Sequence, residues 1–433
     1  MLRKVTTILG AAATSVAWGG VAEAQTITTR VFETVVPFSY NRGRNESVTE
    51  RLRPEYAPQG VPAGAFTVFP TARVSGGYED NVYQTETDRV GDGFLLVSPA
   101  IQAISNWSVH RFSVDARGSF KRYLEETPRN ETGWSLGADG RIDATPDHAL
   151  SLGARTSRLY ESQFSGAALN NVRSSVPVQT TSFRGSLDSR FNRVRTVLAG
   201  DYSVFDYKPV RTLADSRRSQ DDRDRNIVRG IGHVEYGLTP DAGVFLQLVG
   251  VGTDYRTPLL TGQPNRDSTE VRVLGGVSLD ISALMRGSIG VGYTDRRYDA
   301  GIYNDVAGLT FNGRVEYFMT QLTTVTLAAR REIEDSLIGN SSGYFNNGVT
   351  LRVDHELLRN LLLNVGADYE IDDFRGIDGE ATVLRVAGGG EYYLNQTFGL
   401  STTLSYARRT SDNNLNGPDL REFRAMAGIV FRR

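Results

Sequence analysis

From Ala65 to the C-terminus, apolar and polar residues alternate with a period of two, in segments of about ten residues that recur roughly 18 times. In Arg421–Phe431 the residues Phe423, Ala425, Ala427, Ile429 and Phe431 share one side of a strand, and Arg424, Met426 and Gly428 share the other. Arg111–Lys121 repeats the pattern, with Phe112, Val114, Ala116, Gly118 and Phe120 opposite Arg111, Ser113, Asp115, Arg117, Ser119 and Lys121. Trp134, Leu136, Ala138, Gly140 and Ile142 form a further apolar face. Phe183, Gly185, Leu187, Ser189 and Phe191 oppose Arg184, Asp188 and Arg190, while Val271, Val273, Gly275, Val277 and Leu279 oppose Glu270, Arg272, Ser278 and Asp280. Val349, Leu351, Val353 and Leu357 oppose Arg352, Asp354 and Glu356. One face suits lipid and the other water, although a soluble sandwich alternates in the same way.

The connections discriminate between the two. Short turns are expected near 106–107, 145–148, 192–193, 239–241, 282–283, 319–321, 358–360 and 394–397. Longer polar connections fall between them, near 84–91, 125–131, 163–179, 208–225, 256–266, 299–306, 337–344, 374–379 and 411–418. Turns on one side and loops on the other predict an all-β, transmembrane, antiparallel up-and-down β-barrel of about 18 strands (roughly 16 to 20), with both ends periplasmic. Tyr202, Phe205, Tyr207, Tyr293, Tyr298, Tyr317, Phe318, Tyr392, Tyr393 and Phe398 cluster near strand ends and are expected to form interfacial girdles.

The N-terminus sets the compartment. Arg3 and Lys4 precede a moderately apolar stretch, Val5 to Trp18, and Ala22-Glu23-Ala24 offers a small-x-small cleavage site before Gln25. The expected organisation is a cleaved signal peptide over 1–24, a short periplasmic extension or lumen plug over 25–64, and a barrel over 65–433 in the outer membrane of a Gram-negative bacterium. A chain of 433 residues with mean hydropathy −0.31 and no long apolar run after residue 24 is no helical membrane protein. It has no cysteine, which excludes thiol catalysis and a disulfide framework, and its net charge of −2 gives no field for nucleic acid.

About 18 strands enclose a lumen too wide for side chains alone to fill. The lumen-lining candidates are Arg111, Asp115, Arg117, Lys121, Arg141, Arg184, Asp188, Arg190, Arg272, Arg314, Glu316, Arg330, Arg352, Asp354, Arg385 and Arg424, joined by Asp139, Glu332, Glu356, Glu370 and Glu391. These charges either pair across neighbouring strands, stiffening the wall, or form a selectivity surface that holds a hydrated polyol or anionic sugar loosely. No catalytic residue emerges from His110, His148, His233 and His355, none of which stands in a recognisable motif. Asp221-Asp222 and Asp372-Asp373 read as solvated acidic loops without calcium-loop spacing, so no metal and no cofactor is expected.

Arg53-Pro54-Glu55-Tyr56, Pro58, Gly60, Gly64, Phe66 and Phe69-Pro70, followed by Gly77-Tyr78-Glu79-Asp80-Asn81-Val82-Tyr83, resemble the opening of the putative β-barrel porin 2 family. Ser105-Asn106-Trp107-Ser108-Val109-His110-Arg111 continues the likeness. The resemblance implies an outer-membrane porin for exopolysaccharide export, acting with a periplasmic export protein whose channel lacks its own outer-membrane segment. The implied partners are outer-membrane lipid, the outer-membrane insertion machinery and a polysaccharide. A general diffusion porin for small solutes and a structural or adhesive surface barrel are the competing readings, with a lipid hydrolase as a minor fourth. Strands of such barrels often end on an aromatic residue, whereas here Phe431 is followed by Arg432 and Arg433.

Overall fold

The computed structural model describes residues 46–433 apart from 163, 165–171, 282–283, 337–340 and 413–416. The expected signal peptide, the first half of the extension and the turn at 282–283 lie outside the described residues. Eighteen long strands and one three-residue strand, Val61–Ala63, form a single antiparallel sheet. The long strands are β1 (Phe66–Glu79), β2 (Asp92–Ser105), β3 (Arg111–Tyr123), β4 (Glu131–Thr145), β5 (His148–Glu161) and β6 (Val176–Phe191). They continue as β7 (Val194–Tyr207), β8 (Arg225–Thr239), β9 (Ala242–Tyr255), β10 (Ser268–Ile281), β11 (Met285–Tyr298) and β12 (Val306–Thr320). The last six are β13 (Thr323–Glu334), β14 (Gly343–Leu358), β15 (Leu361–Arg375), β16 (Glu380–Tyr393), β17 (Phe398–Ser411) and β18 (Leu420–Arg432).

Each strand pairs with its chain neighbours, and β1 pairs with β18 from Thr71↔Arg432 to Glu79↔Arg424, closing the barrel. Closure leaves no edge strand, which is the condition for crossing lipid with strands. At the seam Ser75 faces Gly428, and a Cβ on Gly428 would lie 2.6 Å from the Val74 carbonyl oxygen, so only glycine allows this approach. Glu79 is buried beside the seam between Lys121 Nζ at 2.6 Å and Arg424 Nη2 at 3.2 Å.

Ion pairs between non-adjacent strands identify the inner face, because such pairs can form only on the concave side of a closed sheet. Arg73 of β1 meets Glu391 of β16 at 3.1 Å, and Arg272 of β10 meets Glu332 of β13 at 3.6 Å. The opposite face carries exposed apolar residues at alternate positions, among them Leu136, Leu152, Phe183, Leu198, Leu246, Leu309, Leu404 and Ile429. Polar-in and apolar-out therefore hold for most strands.

Two expectations are corrected. The long and short connections do not alternate strictly, since the outer connection 376–379 is no longer than the turn 394–397. Gly376 and Gly379 have φ of 84° and 140°, conformations that let four residues reverse the chain. The aromatic girdle is also smaller than predicted. Tyr202, Tyr293, Tyr317, Tyr392 and Phe398 are exposed, but Phe205, Tyr207, Tyr298, Phe318 and Tyr393 are buried. Neighbouring residues in a strand point to opposite faces, so a pair such as Tyr317-Phe318 cannot put both rings in lipid. The inward rings carry guanidinium groups instead, with Arg223 3.9 Å over Tyr207, Arg286 5.3 Å over Phe318 and Arg432 3.9 Å over Tyr393.

Candidate functional site

The lumen has two unlike walls. Along β3 to β6 the inward arginines reach water: Arg111, Arg117, Arg141, Arg184 and Arg190 are all exposed. Their carboxylates sit lower. Asp115 shows 7% of its side-chain surface and takes Arg155 in a two-pronged contact at 3.0 and 2.7 Å, while Arg117 stands 3.4 Å above it with 52% exposed. Arg141 bonds Asp143 at 2.8 Å and Arg184 bonds Asp139. Asp188 is held by Arg195. The strand register places Arg111 opposite Arg141, and Arg190 opposite Arg195, toward the turn end, with Arg155 and Arg184 nearer mid-height. The water on this wall therefore meets guanidinium donors at successive depths.

From β8 to β16 the inward side chains are mostly buried and interlocked. Arg272 bonds Glu270 at 2.8 Å, and Arg314 bonds Glu316 at 2.9 Å. Arg330 bonds Glu370, Arg352 bonds Asp354 at 2.6 Å, and Arg385 bonds Asp368 and Glu370 at 2.8 and 2.6 Å. Arg424 reaches Glu79 and Glu422, and Lys121 reaches Glu79. The described ends of the connection after β13, residues 335–336 and 341–342, meet this wall. Its Asp335 receives Arg296 of β11 at 2.7 Å and the Tyr255 hydroxyl of β9 at 3.1 Å, and lies 3.7 Å from Arg225 of β8. Arg266 donates to the Ser341 carbonyl at 3.0 Å. Asp335 thus draws side chains of strands up to five apart toward the end of β13.

The expected loop at 208–225 divides. A short hairpin pairs Val210–Arg211 with Arg217–Arg218, its arginines exposed and Val210 buried, and Arg223 is buried 2.6 Å from Glu161. Asp372-Asp373 is no loop: both residues lie in β15, where Asp372 is buried and accepts the Asn346 amide at 2.8 Å. Sequence reasoning missed Arg155, Arg195, Arg286, Arg296 and Asp335. The first four continue the inward alternation of their own strands and could have been read from it; Asp335 stands in a connection, where no periodicity applies.

At the turn end, which the topology makes periplasmic, residues 46–59 lie across the mouth. Ser47, Val48 and Arg53 are buried. The Val48 amide donates to Thr324 Oγ1 at 3.0 Å, Glu50 pairs with Arg286 at 2.8 Å and Arg53 with Glu356 at 2.6 Å. Farther along, Gln59 bonds Gln396 at 2.9 Å. Burial opposes the charged form of Glu50, but the Arg286 guanidinium overrides it and holds the carboxyl below its ordinary value. Arg286 also bonds Glu316 at 2.6 Å, so one guanidinium ties this segment to the wall.

Among the described residues no three metal-ligating side chains cluster. A closed 18-stranded barrel with an apolar belt and a charged interior defines the class as an outer-membrane channel of the porin type. The chain belongs to the family described as putative beta-barrel porin 2, whose model matches residues 53–433. Among solved structures it is similar to outer-membrane protein opdK of Pseudomonas aeruginosa, with 12% identity, a TM-score of 0.45, and coverage of 84% of this chain and 99% of that one. OccK2 (OpdF) of the same organism gives 12% identity, a TM-score of 0.46, and coverage of 86% and 99%. No curated protein matches.

Proposed function

We propose that this barrel carries an exopolysaccharide through the outer membrane, in concert with a periplasmic export channel. One observation carries the reading: the water-exposed guanidinium groups of Arg111, Arg117, Arg141, Arg184 and Arg190, spread in depth along β3 to β6. A hydrated polysaccharide presents hydroxyl and carboxylate oxygens at regular intervals. Planar donors at successive heights exchange contacts with such a chain, each too weakly to trap it, as conduction requires. The family's association with exopolysaccharide export supports the same substrate.

The test is surface and secreted polysaccharide in a clean deletion strain, with complementation and an antibiotic-uptake control. Loss of polymer with uptake nearly unchanged is the expected result. Undiminished polymer, with no duplicate gene present, overturns the proposal. The second reading is a general diffusion porin, favoured by Asp139, which keeps 36% of its side chain exposed and puts a negative charge on the same wall. Altered small-solute uptake with normal polymer would establish it.

A further inference from the structure

Among its departures from the polar rule, the inner face carries one apolar group at mid-wall. Ile231 of β8, Phe245 and Val249 of β9 and Leu274 of β10 all point inward and are buried, forming an apolar floor on the packed wall. Apolar inward residues have no lipid to face, so the reason for them must lie inside the lumen.

The register explains the shape of this floor. Phe245 pairs with Gly276, which pairs with Gly290, so two inward glycines follow Phe245 across β10 and β11. A Cβ on Gly276 would come within 2.5 Å of Phe245 Cζ, and one on Gly290 within 3.1 Å. The ring therefore lies along the wall in a trough that two missing side chains create. His233 stacks against it at 5.2 Å with an interplanar angle of 33°.

Around the floor is a cavity bordered by Gln247, Ser288, Asn312 and the Arg272–Glu332 pair. Arg272 Nε is buried without a hydrogen-bond partner, while Gln247 shares a side-chain hydrogen bond with His233. We infer that this cavity is a subsite for a single pyranose ring, with Phe245 as its platform.

The chemistry selects the ligand class. A pyranose has an apolar C–H face, whose slightly positive hydrogens suit the negative face of an aromatic ring. Its rim of hydroxyls both donates and accepts, and so needs mixed partners: an amide, a hydroxyl, a carboxylate and a guanidinium are all present. A fatty carboxylate would use the floor and one cation but has no hydroxyl to donate to the Glu332 carboxylate or to the Gln247 and Asn312 amide oxygens. The inference rests on the export reading for its substrate and adds a holding point beside the open wall.

The test is titration calorimetry of the purified full chain in detergent, with methyl β-D-glucopyranoside as probe and sodium octanoate as the competing class. Saturable glucoside binding is expected, weakened about tenfold in Phe245→Leu and kept within twofold in Phe245→Tyr, which retains the ring. Should Phe245→Leu not fold, Gly290→Ala displaces only the ring tip and is expected to weaken binding severalfold. Absence of saturable glucoside binding, equal binding by the leucine or alanine variant, or binding of octanoate alone would each overturn the subsite. None of these bears on polymer export by the deletion strain, so the subsite and the export reading fail separately.

Discussion

Replacing Glu356 by glutamine isolates what holds residues 46–59 in the mouth. Arg53 and Glu356 expose 7% and 5% of their side chains and meet at 2.6 Å. Arg51 at 3.5 Å and Arg359 at 3.7 Å converge on the same carboxylate, so the amide leaves three guanidinium groups without it. Removing one partner of a buried pair costs about 3–5 kcal/mol. Arg53 keeps its bonds to the Val48 and Arg51 carbonyls at 2.9 and 3.0 Å, which places the loss at the low end, about 3 kcal/mol. At roughly 1.4 kcal/mol per factor of ten, the released population rises about 100-fold. Trypsin reports this population, because Arg51 is cleavable only when the segment leaves the mouth and cleavage tracks the open fraction when closing is fast. The expected result is cleavage after Arg51 accelerated by about two orders of magnitude, with the barrel still heat-modifiable on gels. A rate within threefold of the parent would refute the claim that this pair secures the segment.

Acid should release the same segment. Because Glu50 has a folded pKa below its ordinary value, its contribution is present above the ordinary glutamate pKa of about 4.3 and is lost as pH falls through the folded value. A fluorophore on Glu46→Cys in this cysteine-free chain should keep high anisotropy at neutral pH and lose it below about pH 4; a flat profile counts against the Glu50–Arg286 contact. A guanidinium about 10 Å from a passing ion in water contributes about 0.4 kcal/mol, favouring anions and disfavouring cations equally. Arg117→Ala and Arg184→Ala should therefore each lower the anion-to-cation permeability ratio roughly fourfold at low salt, less at high salt, as read from reversal potentials. No change in either would remove the selectivity role from this wall. Arg424→Met should destabilise the folded barrel by about 3 kcal/mol through the buried Glu422 carboxylate it leaves without its ion pair and the Glu79 carboxylate it leaves with Lys121 alone, and a gel-shift melting temperature equal to the parent's would contradict it.

The barrel was legible in the sequence because lipid on one side and water on the other impose a period of two that no other constraint disturbs along Arg111–Lys121 or Val349–Leu357. The charged residues on the polar side were read as inward for the same reason. The inward apolar floor was not legible: in β9 both Leu246 and Phe245 are apolar, and alternation cannot say which faces lipid unless the register with Gly276 is known. The same ambiguity misassigned Phe205, Tyr207 and Phe318 to the girdle. Nor could the strand pattern divide the arginines into those standing in water, such as Arg117, and those sealed against carboxylates, such as Arg385. That division is set by which carboxylates stand beside each guanidinium, as Asp368 and Glu370 do for Arg385.

The carboxylate of Glu79 is made with the first strand, finds Lys121 with the third, and waits for Arg424 until the last has been synthesised. An unfinished sheet thus contains a charge only partly compensated in a space that closure will bury. Arrival of β18 supplies the missing cation and the Gly428 approach to Val74 in the same step. The barrel can therefore check its own completeness: a chain truncated before Arg424, or one that seats its final strand out of register, forfeits the charge match that makes the closed circle more stable than an open one.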